Sequence, residues 1–152
     1  MASAQASDKF LCNNKCYAYY IDPADLTVAT DVAWVDMSAY GEFTVICMTT
    51  VLGSTGITAL SIVANVDATG TPGTDRIIKT HAVGSLPNAI GDFLVLSCTA
   101  EEIAQIGKDN SEDLRYVTAI VTGAHADATA AVVYIRSKPT FASDGLTADY
   151  VS

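Results

Sequence analysis

Positive charge is what this sequence has least of: 8 Lys and Arg stand against 17 Asp and Glu in 152 residues, a formal net charge of −9. So acidic a chain repels phosphate backbones unless its cations gather in one patch. No such cluster occurs, and nucleic acid is not an expected partner. Charge of either sign is scarce, at 16% of residues. Long apolar runs are missing too: the apolar stretches are strand-sized and broken by Thr, Ser or Asp, short of the ~20 residues a spanning helix takes, so no membrane role is expected. Met1 to Lys9 is polar with no apolar run behind it, which predicts no secretory signal and a soluble chain made in the cytosol.

The signatures of catalysis are also wanting. The phosphate-binding loop, the dinucleotide fingerprint and the His-Glu-x-x-His zinc helix do not occur, and Gly53-Ser54-Thr55-Gly56 is not a nucleophile elbow. The 2 histidines, His81 and His125, have no Cys or carboxylate at ligand spacing and are read as ordinary packing or surface residues. Asp22, Asp25, Asp31 and Asp36 form the most acidic stretch. Paired carboxylates hydrolyse glycosides only across a groove and with one raised pKa, so the stretch is read as a solvated face. Asp67 and Asp75 bracket a loop lacking the dense carboxylates of a calcium-binding EF-hand. No catalytic residue, metal ligand or cofactor is nominated, and the chain is not expected to be an enzyme.

Four cysteines remain. Cys47 and Cys98 lie within apolar runs (Thr44-Val45-Ile46-Cys47-Met48 and Val95-Leu96-Ser97-Cys98) and are expected to pack as small hydrophobes. Cys12 and Cys16, in Cys12-Asn13-Asn14-Lys15-Cys16, leave open a local disulfide or a zinc site, although a four-cysteine zinc site needs a second close pair.

What the chain does have is 50% apolar residues, much of it Ala and Val, with turn residues at short intervals. Its length suits one domain. Low charge combined with Ala, Thr, Ser and Gly fits a protein that packs against copies of itself or a larger assembly. Period-2 runs predict strands at 16–21, 32–37, 43–51, 60–66, 77–83, 93–98, 114–121 and 130–136. Phe43, Val45, Cys47 and Val51 share one parity while Ile46 and Met48 share the other, so the 43–51 strand is expected to be central and covered on both faces. Short turn-rich segments at 53–56, 67–75 and 124–128 predict hairpins. One helix is expected after Thr99, with Glu102 completing a capping box and Gly107 as its stop. These elements predict a mainly β single domain, a β-sandwich or jelly roll with one short helix, over 22–138. Residues 1–21, which include a possible first strand, and 139–152 are read as arms. Tyr17, Tyr19, Tyr20 and Phe141 are nominated as interface anchors on those arms.

The run Tyr40-Gly41-Glu42-Phe43-Thr44-Val45, the helix after Cys98-Thr99-Ala100-Glu101-Glu102, the strand Asp113-Leu114-Arg115-Tyr116-Val117 and the closing Tyr134-Ile135-Arg136-Ser137-Lys138-Pro139 resemble the head decoration or cement proteins of tailed bacteriophages. The likeness covers about residues 30 to 140; the stretch with Cys12 and Cys16 departs from the pattern. The resemblance implies a β-sandwich that assembles with copies of itself, often as a trimer, on the major capsid protein at the virion surface. Other expectations are a tail, baseplate or other self-assembling subunit, and a small binding module or hydrolase.

Overall fold

The computed structural model describes residues 15–21, 30–31, 34–51, 57–70, 74–82, 89–123 and 129–139. The elements in chain order are β1 (Lys15–Ile21), β2 (Thr30–Asp31), β3 (Val35–Asp36), β4 (Tyr40–Val51), β5 (Ile57–Asn65), β6 (Arg76–Ala82), β7 (Phe93–Thr99), α1 (Ala100–Asn110), β8 (Tyr116–Gly123) and β9 (Thr129–Pro139). None of the described helical residues forms a helix long and apolar enough to cross a membrane.

The strands form two antiparallel sheets, one of four strands in the order β1-β9-β4-β7, the other of five in the order β2-β8-β5-β6 with β3 also on β8. β2 and β3 both pair with β8, Thr30 opposite Val121 and Val35 opposite Val117. The pairs then nest: β1 with β9, β2 and β3 with β8, β4 with β7, and β5 with β6. Such a folded-over ribbon is the jelly roll, whose two sheets bury their inner faces against each other.

This topology corrects two expected hairpins. The strands on either side of 52–56, β4 and β5, lie in opposite sheets, as do β8 and β9 on either side of 124–128. A short turn-rich link spans the ~10 Å between packed sheets as readily as it reverses a strand within one, so turn chemistry alone does not choose. The hairpin expected at 67–75 is present, with Leu60 opposite His81 and Ile62 opposite Lys79.

Alternation decides the core. Phe43, Val45 and Cys47 of β4 and Val132 and Tyr134 of β9 meet Leu60, Ile62 and Ala64 of β5 and Val117, Ala119 and Val121 of β8, all buried. Phe43 and Tyr134 meet edge to face at 5.0 Å between centroids. The Tyr134 hydroxyl accepts the Ala119 amide at 2.7 Å and lies 3.1 Å from the Thr118 hydroxyl, so a polar atom is buried with partners from the opposite sheet.

α1 begins as expected. The Glu102 amide donates to Thr99 Oγ1 at 3.2 Å and the Thr99 amide to Glu102 Oε2 at 2.8 Å. It does not stop at Gly107. It continues to Asn110 and is closed by Ser111, in the left-handed region at φ 59°, whose amide donates to the carbonyls of Gly107 and Lys108. Gly107 serves close packing instead, since a Cβ there would lie 2.6 Å from the Glu112 carbonyl oxygen.

Candidate interaction surface

β4 is central, between β9 and β7. Its inner face is buried as the sequence predicts, but the expected cover on its outer face is not found in this chain's described residues. The outward positions fall into three rows set by the register. Phe93, Met48 and Ala131 form the first, Val95, Ile46 and Val133 the second, and Ser97, Thr44 and Ile135 the third. None of the nine is charged, in a chain of net charge −9. Phe93 is 66% exposed, Val95 48% and Met48 40%, and Ile90 in the turn leading into β7 is 68% exposed. That turn is pinned to β4 by the Gly91 amide on the Thr49 carbonyl and the Thr49 amide on the Asp92 carbonyl, both 3.0 Å. Glu42, at the far end of β4, is 3.0 Å from Lys138 and marks where charge resumes.

β1 extends the rows. Tyr20 stands opposite Ala131, Ala18 opposite Val133 and Cys16 opposite Ile135. Of the nominated tyrosines, then, Tyr20 shares a register row with Met48 and Phe93, whereas Tyr17 and Tyr19 stand opposite Tyr134 and Val132, both core residues. β1 is an edge strand of this sheet. Phe141, Cys12, His125, Ser54, Asp22 and Asp25 lie outside the described residues. The sequence reading missed Ile90, Phe93, Val95, Ile46 and Met48 as surface residues. For Ile46 and Met48 the signal is the apolar residues at both parities of β4, a pattern that sequence alone reads as a strand covered from within the chain.

Ion pairs hold the sides of the sandwich. Lys79 of β6 donates to the Ser97 carbonyl at 2.8 Å and sits 3.0 Å from Glu102, tying the two sheets and the helix together. Arg76 makes a two-pronged contact with Glu112. Arg115 grips Asp36 through Nε at 2.9 Å and a terminal nitrogen at 2.6 Å. That grip, with help from the Ser38 amide, holds the Asp36 carboxyl well below the usual carboxylate range. Asp36 is therefore an ion-pair partner rather than part of a free acidic face, and at neutral pH it is no proton donor.

The two cysteines with described side chains lie in the core. Burial pushes the thiols of Cys47 and Cys98 up to about 12, so both remain protonated and inert, the core role expected of them. A cleft of about 270 Å³ opens beside α1, floored by Met37, Ile103 and Leu114 with Ser38, Ala100 and Ala104, and edged by Asp113 and Arg115. Its one cationic edge group is the Arg115 already engaged by Asp36. The arrangement as a whole is suited to binding a surface, through the uncharged outer sheet face.

The sequence matches no protein-family model and no curated protein. Among solved structures it is similar to the VP2 subviral particle of infectious bursal disease virus, at 14% identity and a TM-score of 0.35 over 80% of this chain and 32% of that one. It is also similar to the Gx strain of the same virus, at 12% identity and a TM-score of 0.29 over the same shares. The chain thus spans about a third of the length of these proteins.

Proposed function

We propose that this protein is a virion structural protein that binds and stabilises the exterior of a capsid, as a decoration or cement subunit made in the host cytoplasm. The observation that carries the reading is the uncharged, half-exposed outer face of the β1-β9-β4-β7 sheet on an otherwise acidic jelly roll. Exposed apolar area of this kind marks an interaction surface, and the flat pleat of a sheet fits an extended protein surface better than a small ligand. Between the sheets, Phe43, Tyr134, Leu60 and Ile62 fill the interior, so the fold is a scaffold for its outside. The major capsid protein and further copies of this chain are the proposed partners. The acidic balance suits an outer surface that keeps clear of packaged nucleic acid.

The test is a particle experiment. Virions assembled without the protein should lose resistance to heat and chelators and regain it when purified protein is added back. Microscopy should place the added density on the head rather than the tail. Unchanged resistance together with no bound copies overturns the reading.

A further inference from the structure

We infer that the outer face of the β1-β9-β4-β7 sheet is covered by the same face of a second copy of this chain, the two sheets packed face to face as an isologous pair. The inference rests on the reading of this face as an assembly surface and gives the face to the second copy, so that particles are bound through other surfaces of the pair.

Charge selects the partner. Two copies of net charge −9 repel each other overall, so a face free of charge is where they approach at least cost. The rows of Phe93, Met48 and Ala131, of Val95, Ile46 and Val133, and of Ser97, Thr44 and Ile135 hold no charge of either sign, so identical faces meet there without like charges in opposition. A partner recognised by charge would instead be met by a basic or acidic face, and this one is neither. The chemistry is self-complementary, with methyl, thioether and phenyl groups facing their own kind.

Shape points the same way. β4 carries apolar side chains on both parities, the pattern of a strand between two layers, and only one of those layers is present in this chain's described residues. Packed sheets lie ~10 Å apart and interdigitate side chains of this size. Three strands spaced ~4.8 Å apart, over three rows, give a patch of roughly 300 Å². That is somewhat over a third of the ~800 Å² one partner buries in a standard interface, enough for its apolar centre. The Ile90 turn on one border, and Glu42 with Lys138 on the other, supply a rim.

The experiment uses the full chain and two exposed-site variants, Val95→Lys and Phe93→Lys, chosen because neither removes a core side chain. Sedimentation or light scattering should give a dimer or a multiple of it, and each variant should halve the mass while circular dichroism and the melting curve stay those of the parent. Raising the salt concentration should favour the pair, since it screens the net repulsion. A parent chain that is monomeric at every concentration overturns the inference, as does an assembly whose mass survives both folded variants. Particle binding by the same proteins separates this from the virion reading. A monomer that decorates particles, and loses them on Val95→Lys, assigns the face to the capsid and overturns the pairing while the virion role stands. A dimer that never binds particles does the reverse.

Discussion

Thr49 places a hydroxyl in the core that has no hydrogen-bond partner among the described residues, although the side chain is fully buried. An unpaired buried hydroxyl costs about 1–3 kcal/mol. The near-isosteric Thr49→Val should therefore leave stability unchanged or raise it by up to about 1 kcal/mol, read from the urea midpoint. Tyr134→Phe should do the opposite. It strands the Ala119 amide in the core, so a loss of roughly 1–3 kcal/mol is expected in the same measurement. Neither residue was legible in the sequence beyond its apolar parity, because a hydroxyl's partner depends on which strand lies across the core. Asp36 shows the same limit, since Arg115 is 79 positions away. Its pKa is depressed on folding, as are those of Glu102, through the Thr99 amide, and Glu112, through Arg76. The stabilisation is thus complete above the ordinary carboxylate values of 3.8 and 4.5 and is lost as pH falls through the lower folded values. In thermal melts, Asp36→Asn should lower Tm by an amount that is constant from neutral pH down to about 5 and shrinks progressively below about 4.

Among the elements, α1 offers a paired test. Gly107→Ala improves helix propensity by about 1 kcal/mol yet drives a Cβ to 2.6 Å from the Glu112 carbonyl oxygen, so a net loss of roughly 1–2 kcal/mol is expected. Ser111→Gly relieves a left-handed residue at φ 59° and should gain about 0.5–1 kcal/mol. If the helix ended at Gly107, Gly107→Ala would instead disturb a left-handed cap and Ser111→Gly would do nothing. The helix start was legible because Thr99 and Glu102 make a local device. Its end was not, because a glycine needed for close approach looks the same in sequence as one needed for a turn. The strands were legible to within a few residues, including the central place of β4, since period 2 is set by the backbone alone.

At the scale of the whole molecule, the sequence predicts a sandwich or jelly roll but not which strands pair. Loops of similar composition join β5 to β6 within one sheet and β4 to β5 across two, so pairing follows from how the full set of apolar faces closes on itself. The uncharged outer face was half legible: parity marked it as apolar, and not that the described residues leave it exposed. Salt offers a general check, because contacts between like-charged copies strengthen with ionic strength whereas contacts with a basic partner weaken. The place of β9 between β1 and β4 has a further consequence, in time rather than in space. Among the described strands β1 pairs with β9 alone and β4 with β9 and β7, so on a ribosome β1 and one edge of β4 wait, open, until 129–139 has emerged. Folding should therefore be slow, on the order of milliseconds to seconds as in other sheets closed by distant strands. A nascent chain halted before Thr129 should be the species that chaperones hold.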